Sequence, residues 1–109
     1  MFLMPSYYEP CGLNQMYSMR YATVPIVRAT GGLDDTVENF DPSKSTGTGF
    51  KFSEYNAGAL LEKIREALYF YGQPDAWRRI QLNGMAMDNS WEAVAQKYIQ
   101  LYQEIIELQ

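Results

Sequence analysis

Thr23-Val24-Pro25-Ile26-Val27-Arg28-Ala29-Thr30-Gly31-Gly32-Leu33-Asp34-Asp35 is the stretch on which the fold turns. Val24, Ile26 and Val27 make a near-continuous β-branched run, the pattern of a strand covered on both faces. Thr30-Gly31-Gly32 follows at once. Two glycines with acids just behind them predict a tight turn into a short helix.

Upstream, Phe2-Leu3-Met4 is a short apolar run ended by Pro5-Ser6, which reads as a buried strand meeting a loop. A core strand at the very start of a chain is unusual, so Met1 is expected to be a cut inside a longer protein. After the Glu9-Pro10-Cys11-Gly12 turn, the spacing of Leu13, Met16, Tyr17 and Met19 predicts a helix from Leu13 to Ala22, broken by Thr23 and Pro25. Downstream, Asp41 to Gly49 is a loop rich in Pro, Ser, Thr and Gly, and Gly49-Phe50-Lys51-Phe52 alternates as a short strand. Leu60, Leu61, Ile64, Ala67, Leu68 and Tyr71 form one helical stripe. Gly72 closes that helix, and Pro74 opens a second one with Trp77, Ile80, Gln81 and Met85. Asn89 with Glu92 three residues on is a capping pattern. Trp91, Val94, Ala95, Tyr98, Leu101, Tyr102 and Ile105 then trace a long amphipathic face. The Tyr69-Phe70-Tyr71 cluster and the Trp91 stripe read as core, with some rings alternatively facing a domain outside this chain.

Strands alternating with helices imply a parallel sheet. The expected fold is α/β, with about three parallel strands flanked by helices and long C-terminal helices. That is the second half of a doubly wound, Rossmann-like domain. The chain of 109 residues is expected to be one partial domain, 1–109. Its net charge of −4 argues against a nucleic-acid partner. No apolar run is long enough for a membrane span, and Met1-Phe2-Leu3-Met4 does not read as a signal peptide. A single cysteine, Cys11, excludes an intramolecular disulfide and fits a reducing, cytoplasmic setting. The absence of histidine removes the commonest metal ligand and general base.

Ligands of an open α/β sheet sit beyond the carboxyl ends of its strands. Two such ends, Ser6 to Leu13 and Thr30 to Leu33, each lead from strand into helix and offer backbone N–H groups to phosphate or sugar oxygens. Glu9 is the carboxylate of the first loop, held extended by Pro10. It suits sugar hydroxyls, or a positive charge developing at a sugar carbon. Gly12 permits close backbone approach. Cys11 reads as a small buried residue rather than a nucleophile, since no base or cation stands near it. Asp34-Asp35 has the look of a metal pair but stands where a helix start favours acids.

Three blocks carry a family resemblance: Pro5 to Gln15, Arg20 to Val27, and Thr30 to Val37. In order and spacing they resemble bacterial glycogen synthases and plant starch synthases, retaining glucosyltransferases of the two-domain GT-B type. The resemblance continues more loosely to the end of the chain. It implies that Glu9 lies against the donor glucose, and that Cys11, Gly12, Leu13 and Gln15 contact the donor. It further implies that Thr30, Gly31 and Gly32 line the same cleft. The implied donor is ADP-glucose, the acceptor an α-1,4-glucan held through a domain outside this chain, with no metal and no cofactor. The implied location is bacterial cytoplasm, or a plastid for a plant protein. Tyr7 and Ala22 depart from the family's usual Arg and Gly. Tyr17 stands where related glycosyltransferases carry a second Glu, as in the synthase branch. The family's cations for the donor diphosphate lie upstream of these blocks, and Arg20 and Arg28 are poor substitutes. The chain alone is therefore expected to be inactive. The alternative is a small non-catalytic α/β module that binds a nucleotide or a partner. In either case an open sheet edge invites self-association.

Overall fold

The computed structural model describes all residues, Met1–Gln109. The order is β1 (Phe2–Met4), α1 (Asn14–Arg20), β2 (Pro25–Arg28), α2 (Gly31–Thr36), β3 (Phe50–Phe52), α3 (Ala57–Tyr71), α4 (Pro74–Met85) and α5 (Trp91–Glu107). The strands form one parallel sheet in the order β1-β2-β3, with Leu3 opposite Ile26 and Ile26 opposite Phe50.

β2 lies in the middle, and its side chains alternate between two cores, as strand geometry requires. Ile26 joins Val24, Phe40, Phe50, Ala67, Trp77 and Ile80. Val27 joins Met4, Met19, Leu33 and Val37. The first core is aromatic. The Phe50 ring stacks on Trp77 at 6.4 Å and on Phe70 at 6.1 Å, and Phe40 meets Phe70 edge-on at 5.0 Å. Burying each such side chain stabilises the fold by roughly 1.5–3 kcal/mol. α4 also reaches the other core, where Gly84 lies against Met19.

Fold class, strand number and parallel topology agree with the expectation. β1 differs: Phe2 is 38% and Leu3 48% exposed, and only Met4 is buried. β1 is the sheet's edge, so two of its three apolar side chains are only partly covered. Cys11 is exposed rather than buried, because its loop runs over the surface. The cap of α5 is Ser90, not Asn89; its hydroxyl accepts a hydrogen bond from the Ala93 N–H at 3.2 Å. Gly72 closes α3 with a right-handed conformation, φ −73°, so it uses none of glycine's special freedom. The largest correction concerns the aromatic stripes. Phe70 packs in the core, but Tyr69 and Tyr71 are exposed, and α5 has no buried residue at all, with Trp91 84% exposed. The molecule is correspondingly long, 53 × 30 × 24 Å.

Candidate functional site

The two strand ends singled out in the sequence meet. The Gly32 N–H donates to both Glu9 O and Pro10 O, each at 3.0 Å, so the loop after β1 rests on the first turn of α2. This contact explains the paired glycines. A Cβ on Gly31 would run into Glu9 O, and one on Gly32 into Cys11 O, both backbone atoms unable to yield. Gly31 and Gly32 therefore serve loop-to-loop approach, and the Gly32 N–H is consumed within the protein.

From the other side the loop is held by Gln15, whose side chain is completely buried. Its Nε2 shares its two hydrogens among Cys11 O (3.2 Å), Gly12 O (3.0 Å) and Thr36 Oγ1 (3.0 Å). The Thr36 hydroxyl in turn donates to Gly32 O at 2.6 Å. One buried amide thus ties the β1–α1 loop to α2. Gly12 has φ +70°, a conformation that costs a side-chain-bearing residue about 1–2 kcal/mol. A Cβ there would stand 2.8 Å from Gln15 Oε1, a buried acceptor that has no donor.

Two features of the loop remain open. The N–H groups of Cys11, Gly12 and Leu13 make no hydrogen bond within the protein, and the half-buried Glu9 carboxylate has neither a hydrogen bond nor an ion pair. Arg28, at the end of β2, is engaged with its own partners. Its Nη1 donates to Tyr7 O at 2.6 Å and its Nε to Ser53 O at 3.0 Å, while the guanidinium lies 5.4 Å over the Tyr55 ring. Tyr7 meets Tyr55 edge-on at 5.1 Å. Arg28 therefore braces the loop at its start. A cleft of about 360 Å³ adjoins this cluster, lined by Pro5, Phe52, Tyr55, Asn56, Ala57 and Leu60.

A larger groove, about 580 Å³, lies elsewhere, between Asp34 to Glu38, Thr46 to Thr48, Lys51 and the end of α4. None of the loop residues from Ser6 to Leu13 lines it, so volume and chemistry point to different places. The chemistry is the better guide, because the groove's one cation, Lys51, is already paired with Asp34 at 2.9 Å. Asp34 is thereby a charge partner of β3. The Ser6–Leu13 loop is an open wall rather than an enclosed pocket.

Sequence reasoning placed Glu9, Cys11, Gly12, Leu13, Gln15, Thr30, Gly31 and Gly32 at one locality, and the fold brings their loops together, with Gln15 turned inward and completely buried rather than open to a ligand. It missed Thr36 and the bracing by Arg28. Thr36 stands four residues after Gly32 in a short helix, where a threonine hydroxyl often returns to the carbonyl one turn back. Nothing in sequence signals its partnership with Gln15.

An open parallel sheet with two glycine-bearing loops converging beyond its strand ends is the arrangement of a doubly wound α/β half-domain. Residues 1–81 match the family of glycosyl transferases group 1, and the chain belongs to that family. Within it, the similarity runs to the synthases. The chain is 58% identical over 104 residues to a glycogen synthase of Koribacter versatilis, covering 95% of this chain and 22% of that protein. It is 53% identical over 106 residues to a glycogen synthase of Thermotoga maritima, covering 96% and 22%. Among solved structures, it superposes with TM-score 0.81 and 34% identity on the catalytic domain of starch synthase IV from Arabidopsis thaliana, bound to ADP and acarbose. That match covers 95% of this chain and 22% of the other. A sucrose-phosphate synthase from Thermosynechococcus elongatus matches with TM-score 0.64 and 33% identity, over 98% and 25% of the two chains. The chain thus spans about a fifth of the length of the glycogen synthases it matches. The resemblance read from Pro5 to Val37 is borne out.

Proposed function

We propose that this chain forms the donor-binding wall of a glycogen or starch synthase, a retaining glucosyltransferase that moves glucose from ADP-glucose to an α-1,4-glucan. The observation that carries the reading is the open chemistry of one loop: three consecutive unpaired N–H groups, on Cys11, Gly12 and Leu13, beside the unpaired carboxylate of Glu9. Backbone donors suit the oxygens of a diphosphate or sugar, and a lone carboxylate suits sugar hydroxyls and a cationic sugar carbon in the transition state. ADP in the Arabidopsis starch synthase IV structure supports an adenine nucleotide as donor. Gly31 and Gly32 contribute by seating this loop, and Thr30 lines the same cleft. The glucan is held by the rest of the parent enzyme, which acts in bacterial cytoplasm or in a plastid. No metal or cofactor takes part.

The loop itself carries no lysine or arginine, and Arg28 is held on the Tyr7 and Ser53 carbonyls. A leaving diphosphate needs such charge, so the chain alone is inactive while retaining a weak affinity for ADP. Calorimetric titration with ADP and with ADP-glucose tests this, alongside a Glu9→Gln variant. The expected result is binding of both ligands, with Glu9→Gln weakening ADP-glucose more than ADP. Binding that is indifferent to Glu9 sinks the role of that carboxylate. Incorporation of glucose into glycogen by the chain alone refutes its inactivity.

The exposed edge of β1 supports one further reading. Phe2 and Leu3 present an unpaired strand edge, and such edges recruit other strands. In isolation the chain self-associates there, read as a concentration-dependent rise in sedimentation coefficient that a Leu3→Lys variant abolishes.

A further inference from the structure

We infer that Gln15 is the positioning residue of the donor loop, and that it acts by anchoring carbonyls rather than by touching a ligand. The inference rests on the donor-loop reading above and assigns the part that makes it work. A trans peptide unit points its C=O and the following N–H in opposite directions, and the chain has no cis peptide. The Pro10 carbonyl is held by the Gly32 N–H. The same peptide unit therefore turns the Cys11 N–H the other way, off the protein. The Cys11 carbonyl is held by Gln15 Nε2, which turns out the Gly12 N–H; the Gly12 carbonyl is held by the same atom, which turns out the Leu13 N–H. Three anchored carbonyls thus account for three outward donors in a row, and these are the donors with no partner in the protein. Two of the three anchors are one side chain.

Gln15 is itself fixed. It is completely buried, and its amide donates to Thr36 Oγ1, whose hydroxyl is locked onto Gly32 O. The remaining atom, Oε1, has no donor and lies 2.8 Å from where a Cβ on residue 12 would stand. A methionine at position 15 fills nearly the same volume but donates to nothing. It frees the Cys11 and Gly12 carbonyls to rotate, and the outward donors rotate with them. Pre-orientation of this kind raises affinity by lowering the ordering cost of binding.

The test compares wild type with Gln15→Met by nitrogen-15 relaxation without ligand, and then by amide shifts during titration with ADP. In the wild type, the Cys11, Gly12 and Leu13 amides are expected to be as ordered as those of Ile26 and Val27. In Gln15→Met those three become mobile while the β2 amides stay ordered, and ADP affinity falls on the order of tenfold, comparable to the loss of an outer partner at a metal site. Three loop amides that stay ordered in Gln15→Met overturn the inference. So does a loss of order spread evenly over loop and sheet, since that is mere destabilisation. Where Gln15→Met does not fold, Thr36→Val decides: it is expected to loosen the same amides, with Thr36→Ser restoring them, and an unchanged Thr36→Val loop overturns the inference. Wild-type loop amides that ignore ADP sink the donor reading instead, and the ligand-free relaxation result stands apart from that outcome.

Discussion

The Ser6–Leu13 loop and helix α5 reverse the usual relation between regularity and order. The loop has no regular structure before α1, yet its carbonyls are anchored by the Gly32 N–H, the Gln15 amide and the Arg28 guanidinium. α5 is an unbroken helix of 17 residues with a good serine cap, and it buries none of them. Helix hydrogen bonds are made within the segment and only stabilise it locally. Anchors from buried side chains tie a segment to the global stability of the core. Irregular backbone here is the more constrained region, and it holds the unpaired donors and the free carboxylate.

The sharpest way to break this comparison is to remove an aromatic ring from each side of it. Phe50→Ala removes a ring with no exposed surface from the first core and is expected to cost about 3–5 kcal/mol. Trp91→Ala removes a larger ring from α5 and is expected to stay within about 0.5 kcal/mol. Urea denaturation followed by the sheet's signal reads both, and equal costs would mean that α5 is packed after all. Next in size is Gly32→Ala, which forces a Cβ against Cys11 O and parts the two loops. Overpacking of this kind costs about 1–3 kcal/mol, and the Cys11 and Gly12 amide resonances should move with it. A stable variant with an unmoved loop would show that the loops do not depend on their contact.

Ser90→Ala sharpens the comparison from the other side. Losing this cap costs about 1 kcal/mol, but an unpacked helix keeps the loss to itself. Helix content is expected to fall by circular dichroism while the sheet's denaturation midpoint holds. The smallest effect concerns pH. The Ser90 side chain and N–H hold the Asp88 carboxyl below its usual value, and Ser43 does the same for Asp41. A carboxylate whose folded pKa is lowered stabilises at neutral pH. It loses that contribution as pH falls from the ordinary carboxylate value through the lowered one. Helicity of α5 should therefore fray first on acidification, and Asp88→Asn should flatten that dependence.

Much of this was legible in residue order. Val24-Pro25-Ile26-Val27 announced a central strand because only a doubly covered strand tolerates such a run. Glu9-Pro10-Cys11-Gly12-Leu13 announced its loop because Pro locks its own φ and Gly permits the positive φ that a turn needs, whatever surrounds them. What a stripe of apolar residues packs against was not legible. Periodicity shows that Tyr98, Leu101 and Ile105 share a face, and says nothing of whether a neighbour covers it.

The amino-acid sequence by itself determined the α/β order, the family and the loop that offers Glu9 and three backbone donors. Those depend on local dihedral preference and on short spacing, both of which act along the chain. Only the tertiary structure decided that Gly31 and Gly32 serve the loop's carbonyls, that Arg28 is already engaged, and that Gln15 faces inward to Thr36, 21 residues away. Such partnerships are set by the distance between strand ends in a folded sheet, a quantity that no local pattern encodes.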